Sequence, residues 1–555
     1  MHYFRRFSLL LAALLLTAAL SQQPATASDT LRVAVMATTD LHGWVLPWDY
    51  YADREEPRYG LARVATLIDS VRSRFEQTLL LDAGDWLQGN PLADYFANTD
   101  TLSPYVLLEA ADFLEYDAMV LGNHEFNFGL DLLNRRIDQT RTPILAANVY
   151  EHGTRQPAYP TYVIKDVDGV RIAVVGLTTP GSAVWDRPRV AGRLEFGDGI
   201  EAAHRFVAEV RERGADIVIA LAHTGYEGTT SYPTDDLGEE NFGRVLAETV
   251  DGVDLVVTAH THQTIGSTVV GPDGRTVAVM QPGRWGSHLG IAELTIVRGE
   301  GTAEVVDHSV NLQSVEHVPG HPAIEALAEN AHQAVRAVMA KPLATTSTEW
   351  SSSRARLEPS AAIALVHAAQ RYATGAQLSA AAAFNTSATL GPDAITLGQL
   401  TRLYPYENAL YVVNISGADL RSYLEHSARF YLPPEAPGEA PRVNREWPGF
   451  NFDMVDGATY ELDLERPLGE RVVRLEVDGR PVRDEDVFTM AVNSYRAEGG
   501  GGFPGMTESN IVERIDRSVR DIIIEYLQER GSIEPSDVLT RNWSLRPEPT
   551  GRGVR

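Results

Sequence analysis

Cysteine is absent from the 555-residue chain. Disulfides, thiolate metal sites, a cysteine nucleophile and cysteine-linked lipid are thereby excluded. Any metal must be held by His, Asp, Glu or Asn. Lysine is nearly absent: Lys165 and Lys341 are the only two, a skew we read as compositional bias. Positive charge is scarce overall, with 48 Lys+Arg against 75 Asp+Glu and a net charge of -27. Binders of phosphate backbone present a basic face, so no nucleic-acid polymer is expected as a partner. No apolar stretch beyond Leu20 is long enough to cross a bilayer.

What remains is ordinary globular material. Hydrophobic residues make up 44% and charged residues 22%, enough apolar surface to exclude a mainly disordered chain and to fill a core. The length suggests two or three domains. Arg5 and Arg6 precede an apolar run from Phe7 to Leu20, followed by Ala25-Thr26-Ala27. That order predicts a signal peptide over residues 1–27, cut after Ala27, and a periplasmic or secreted protein with no membrane attachment after cleavage. It is expected to act as a monomer.

Short apolar runs alternate with helical patterns from Leu31 to about Leu312. Leu31–Ala37, Thr78–Leu81, Ala118–Leu121, Ile172–Leu177, Ile217–Ala222 and Leu255–Thr258 read as buried strands. Leu61–Phe75, Val106–Leu114, Leu130–Ile137, Ile200–Arg211 and Phe242–Thr249 have helical spacing. The alternation predicts an α/β layered sheet with covered faces. Segments near Thr264–Val270, Thr276–Met280 and Leu289–Val297 read as an added antiparallel run. A helix from His321 to Met339 stops at Lys341-Pro342, and a mixed second domain follows. The proline-rich stretch from Leu432 to Pro448 reads as a surface insertion.

Polar residues cluster where the strands end: Asp40 and His42 in TTDLHG, Asp85 in DAGDWLQG, Asn123 and His124 in GNHEFNFG, His223 in LAHTG, His260 and His262 in TAHTHQ. In an open α/β sheet, ligands bind beyond the carboxyl ends of strands. Imidazoles, carboxylates and a carboxamide suit divalent ions such as Zn, Mn or Fe. A central carboxylate such as Asp85 can bridge two ions, and two ions about 3.5–4 Å apart clamp an in-line phosphoryl displacement. Each motif alone is weak; five in this order predict a dinuclear metal centre.

These motifs, in this order, resemble the calcineurin-like metallophosphoesterases. With an export signal and a second domain, the chain resembles their secreted 5'-nucleotidase and cyclic phosphodiesterase branch. DYY, YGLARVATLI, GNPLADY, PGRWGSHLG, LSAAAAFN, LYPYENALYVVNISG, NFDMVDGATYELD and NSYRAEGGGGFPG are similar to bacterial periplasmic 2',3'-cyclic-nucleotide 2'-phosphodiesterase/3'-nucleotidases. The resemblance implies an α/β, layered α+β architecture. A four-layer metallophosphoesterase sandwich would span residues 28–320, a connector helix 321–341, and a mixed α/β, 5'-nucleotidase-type nucleotide-binding domain 342–555. It implies two divalent metal ions (Mn, Zn, Co or similar), one held by Asp40, His42, Asp85 and His262, the other by Asp85, Asn123, His223 and His260. His124 would be the catalytic histidine. Three positions later the 5'-nucleotidases carry Asp; here Asn127 stands, as is usual in the cyclic phosphodiesterase branch. Position 262 likewise departs from 5'-nucleotidases that place Gln there.

Tyr406 and Tyr495 match the aromatic pair that sandwiches the base, with Tyr404 a competitor on the first loop. Aromatic stacking is worth about 1–3 kcal/mol per base and accepts any base. The glycine run Gly499–Gly502 suggests backbone approach to a ligand. The Asn-Gly-Gly-Gly-x-Arg loop of 5'-nucleotidases is missing, and Ala380–Asn385 occupies that region. The implied activity is hydrolysis of 2',3'-cyclic nucleotides to 3'-nucleotides, and of these to nucleoside and phosphate. A small-molecule nucleotide is the expected partner. Alternatives are a 5'-nucleotidase or UDP-sugar hydrolase, a sulfur-ester hydrolase, and a non-catalytic nucleotide-binding protein.

Overall fold

The computed structural model describes residues 29–232, 237–299, 301–406, 408–434 and 442–547. The expected signal peptide, residues 1–27, lies outside these residues. The chain divides into two compact units between Val335 and Arg336.

The first unit is built on two six-stranded sheets. In chain order the strands are β1 (Asp29–Thr38), β2 (Gln77–Asp82), β3 (Ala118–Val120), β4 (Ile144–Leu145), β5 (Tyr162–Val167), β6 (Val170–Thr178), β7 (Ile217–His223), β8 (Leu255–Val257), β9 (Thr264–Val270), β10 (Thr276–Pro282), β11 (His288–Arg298) and β12 (Ala303–Ser314). One sheet runs β12-β11-β1-β2-β3-β4 and the other β9-β10-β8-β7-β6-β5. Strands β1 to β4 pair in parallel, as do β6, β7, β8 and β10. Side chains alternate along a strand, so Val33, Val35 and Ala37 enter a core shared with Ile172, Val174, Ile219 and Leu221 of the other sheet. Ala34 and Met36, equally buried, face the opposite side.

Helices cover the outer faces. The helix α1 (Leu61–Arg72) packs on β11, and Leu61, Val64, Ile68 and Val71 recur at the spacing that lines one face. On the other sheet, α2 (Gly199–Glu212) starts at Asp198, whose carboxylate accepts from the Glu201 N–H. Such a cap is worth about 0.5–2 kcal/mol. Its Ala203, Phe206, Val207 and Val210 join a second core with α3 (Gly243–Thr249). Helix, sheet, sheet and helix make four layers.

The expected antiparallel run after residue 264 is split in the structure. Only β9 and β10 pair as foreseen. The segment TVAVMQP is buried on both faces beyond its first residue, and this lets β10 sit inside the sheet, parallel to β8. Strand β11 crosses to the other sheet and lies antiparallel to β1. The helix expected from His321 runs from Pro322 to Met339. No described helix is long and apolar enough to cross a membrane.

The second unit has a five-stranded sheet, ordered Asp453–Asp456, Leu378–Ala382, Val487–Asn493, Ala409–Ser416, Ile511–Ser518, and a four-stranded sheet around Ala458–Asp463. Its own core includes Trp350, Leu365, Tyr423 and Ile523. Residues 435–441 of the proline-rich stretch lie outside the described residues. Its end is anchored rather than free: Trp447 packs edge-on to His426 and donates to the Asn451 carbonyl.

Candidate metal centre and nucleotide cleft

Register places the chemistry. Thr38 pairs with Asp82, and Asp82 with Met119, so the loops after β1, β2 and β3 leave the first sheet at one level. On the second sheet, β7 and β8 are parallel neighbours. Backbone bonds then lock the loops together: Asp40 N–H to Gly84 O at 2.9 Å, His42 N–H to Asp85 O at 2.8 Å, Ala259 N–H to Thr224 O at 2.9 Å. The two sheets are joined where the His260 N–H reaches the Asp40 carboxylate at 3.2 Å.

Five of the expected ligands adopt left-handed backbone: Asp40 (φ 49°), His42 (46°), Asp85 (60°), His260 (69°) and His262 (58°). For a residue with a side chain this costs about 1–3 kcal/mol and persists only where the surroundings impose it. Gly122 shows how tightly the loops meet: a Cβ there would lie 2.2 Å from Asp85 Oδ1 and 2.7 Å from His223 Cε1.

The structure brings all eight expected residues into one place, and two groups emerge. The ligating atoms of Asp40, His42 and His262 lie within 4.8 Å of one another, as do those of Asp85, His223 and His260. Asp85 touches both groups: its Oδ2 is 3.2 Å from His223 Nε2 and 3.8 Å from His42 Nε2. Asn123 Oδ1 is 3.1 Å from His223 Nε2. His262 Nδ1 accepts from Arg284 at 3.3 Å, so in the neutral ring its Nε2–H donates to His42 Nε2 at 3.0 Å, and both nitrogens stand beside the carboxylates of Asp40 and Asp85. Imidazole nitrogens gathered around buried carboxylates are a donor set suited to divalent cations. The outer partners fit too. His42 Nδ1 is bonded to Gln88 O and His223 Nδ1 to Ala83 O, both at 2.7 Å, which directs each Nε2 inward. Glu240 holds His260 Nε2 at 3.0 Å, leaving Nδ1 available.

Electrostatics follow from burial and mutual charge. Burial opposes ionisation of Asp40 and Asp85, yet the neighbouring histidines prevail and hold both carboxyls below their usual range. Burial lowers His42 to about 4, so it stays neutral and able to ligate. Burial also disfavours protonated His223, but Asp85 and Asp40 outweigh it and raise the imidazole to about 10.

His124 lies at the edge of the centre. Its backbone N–H donates to Asp85 Oδ1 at 2.9 Å, and its ring meets that of His42 at 5.2 Å. Its Nδ1 is 2.7 Å from Asn127 Oδ1.

Sequence reasoning missed Glu125, Glu240 and Asp186. Buried Glu125 accepts from the N–H groups of Asp85, Trp86, Leu87 and Gly122 at 2.6–3.0 Å. That explains the fourth letter of GNHE. Glu240 and Asp186 carry no comparable signal.

In the second unit, Leu410 pairs with Asn493, so the segment before residue 409 lies beside the end of the neighbouring strand. A cleft of about 240 Å³ is lined there by Phe384, Tyr406, Asn408, Phe450, Asn493, Tyr495 and Arg496. Tyr406 and Tyr495 are 46% and 47% exposed, whereas Tyr404 is buried in the core at 1%. Phe384 and Phe450 were not foreseen. The glycine run serves the protein's own packing. A Cβ on Gly501 would lie 2.4 Å from Arg496 Nη1, and the Gly500 carbonyl accepts from that guanidinium at 2.6 Å.

Strand ends of two facing sheets converging on paired His and Asp groups define a calcineurin-like phosphoesterase, and the family model of that description matches residues 33–264. A second model, the 5'-nucleotidase C-terminal domain, matches residues 339–508. The chain belongs to the 5'-nucleotidase family of calcineurin-like phosphoesterases, enzymes that hydrolyse phosphoric esters. It is 30% identical to a 2',3'-cyclic-nucleotide 2'-phosphodiesterase/3'-nucleotidase of Haemophilus influenzae, over 92% of this chain and 87% of that protein. It is 29% identical to the trifunctional nucleotide phosphoesterase YfkN of Bacillus subtilis; the match covers 94% of this chain but only 39% of that longer protein. Among solved structures, a 5'-nucleotidase precursor from Thermus thermophilus superposes with a TM-score of 0.64 at 26% identity, over 94% of this chain and all of that one.

Proposed function

We propose that the protein is a dinuclear-metal phosphoesterase. It hydrolyses 2',3'-cyclic nucleotides to 3'-nucleotides, then 3'-nucleotides to nucleoside and phosphate, outside the cytoplasm. The observation that carries this is the shared carboxylate of Asp85 between two donor groups, with His124 at their edge. The names of its relatives supply the substrate class.

Asp40, His42, Asp85 and His262 would hold one cation, and Asp85, Asn123, His223 and His260 the other. When bound, two such cations neutralise phosphoryl charge and acidify a water. Carrying a proton on each ring nitrogen, His124 would give the one on Nε2 to the leaving oxygen and keep the one on Nδ1. On a 2',3'-cyclic ester, water adds its oxygen to phosphorus, the bond from phosphorus to the 2'-oxygen breaks, and that oxygen takes the proton. The 3'-phosphate is left, and the same sequence at the 3'-oxygen frees the nucleoside. Tyr406 and Tyr495 bind the base by stacking.

The reading is tested by turnover of 2',3'-cyclic AMP, 3'-AMP and 5'-AMP side by side with Mn, Co, Zn or Mg. The first two should be hydrolysed faster. Faster turnover of 5'-AMP would replace this reading with that of a 5'-nucleotidase. His124→Ala should lower kcat by about 100-fold or more; turnover within a few-fold of wild type would remove its assigned role.

A further inference from the structure

His124 has two ring nitrogens, and only one can serve the leaving oxygen. Asn127 Nδ2 lies 3.0 and 3.2 Å from the two carboxylate oxygens of Asp186, a residue 59 positions further along the chain. Asp186 is 3% exposed. It precedes the short helix Arg187–Val190 yet makes no cap bond to it, so that helix does not claim the carboxylate. A carboxylate only accepts hydrogen bonds, so Asn127 must turn its NH2 towards Asp186 and its carbonyl towards His124. A carbonyl also only accepts, so the proton of neutral His124 must sit on Nδ1. Nε2 is thereby the nitrogen that takes up and gives the second proton, the one the leaving oxygen receives. The reversed amide would press its oxygen against two carboxylate oxygens. Next to Asp186 in sequence, Trp185 stacks on His260 at 5.6 Å, so one turn of chain braces histidines on two sides of the centre.

We propose that Asp186 is a positioning residue for phosphoryl transfer: through Asn127 it fixes the tautomer and orientation of His124. The proposal rests on the phosphoesterase reading above. Asp186 touches no reacting atom. It does from a distance what a carboxylate at position 127 would do directly, with an amide as the intermediary.

The test is a cycle of variants assayed on 3'-AMP with the metal-loaded enzyme, each first shown to melt cooperatively. Asp186→Asn lets the amide flip and should lower kcat about 10-fold or more, with KM changed less than about 3-fold. Asn127→Asp sets two carboxyls against each other and should lower kcat at least as far. The double variant Asn127→Asp/Asp186→Asn restores one carboxylate and one amide in exchanged places, and should recover to within about 3-fold of wild type. A purely structural role would show no such recovery. Long-range 1H–15N spectra of the metal-free wild-type protein, with His124→Gln for assignment, should show the Nδ1–H form at His124, and a mixture in Asp186→Asn. Wild-type kcat in Asp186→Asn, a double variant no faster than Asn127→Asp, or the Nε2–H form in the wild type would each overturn the proposal. If His124→Ala itself retains turnover, the phosphoesterase mechanism fails instead, which separates the two results.

Discussion

Asp85 lies between the two donor groups, and on the proposed reading its partner His223 should make cation binding sensitive to acid. In the metal-free protein the imidazole titrates near 10 rather than 6.5, so it carries a proton at neutral pH. A ligand must be deprotonated, so an incoming cation displaces that proton. Affinity should therefore rise with pH towards about 10 and fall on acidification. His42, depressed to about 4, has no proton to lose above that value. Calorimetric titration of Mn or Zn at pH 7 in buffers of different ionisation enthalpy should report release of about one proton; no release would contradict the assignment. In the second unit, Tyr406→Ala should raise KM for nucleotides by about 5- to 150-fold, the equivalent of about 1–3 kcal/mol of stacking, with a smaller change in kcat. The inner residues were readable because their letters occur in fixed motifs at strand ends. Glu125, Glu240 and Asp186 act one bond further out, where any acceptor at the right point in space suffices. Spacing along the chain therefore carries no trace of Glu240 or Asp186.

Among the elements, the buried strands and the long helices were legible because apolar period reports which faces are covered. Leu130–Ile137 agrees to the residue, and most other ends move by one or two. Period alone does not say which sheet a strand joins, and so β11 was misplaced and the parallel pairing of β10 with β8 went unforeseen. Two-residue β4 and the half-exposed strands β5 and β12 went unrecognised for lack of a continuous apolar run. The loops between elements give the sharpest prediction. Gly122→Ala drives a methyl group into Asp85 and His223, and should weaken metal binding about 10-fold or more while costing about 1–3 kcal/mol in stability. Gly129→Ala is the control: φ there is +84° but nothing lies within 4 Å of a new Cβ. With ψ at 162° this is a conformation almost confined to glycine, so the change should cost about 1–3 kcal/mol by backbone alone and leave metal content intact. Equal metal loss in both variants would show that loop conformation, not contact, governs the centre.

At the scale of the molecule, the two units have separate cores, and on the proposed reading metal should stabilise the first and nucleoside the second. Chelation should lower the melting transition of the first unit and leave the second unmoved. Adenosine at about 100 times its dissociation constant should add about 2.7 kcal/mol to the second. Scanning calorimetry resolves the two; a single transition shifted equally by both would deny the independence. The first unit's candidate donors are divided between layers: Asp40, His42, Asp85 and Asn123 leave one sheet, His223, His260 and His262 the other. Neither layer alone owns a complete cage. No cation is captured in full until synthesis has passed His262 and the two halves have closed on each other. The choice of ion then belongs to the closed site and the cations around it, so the same polypeptide loaded in different media would become chemically different catalysts.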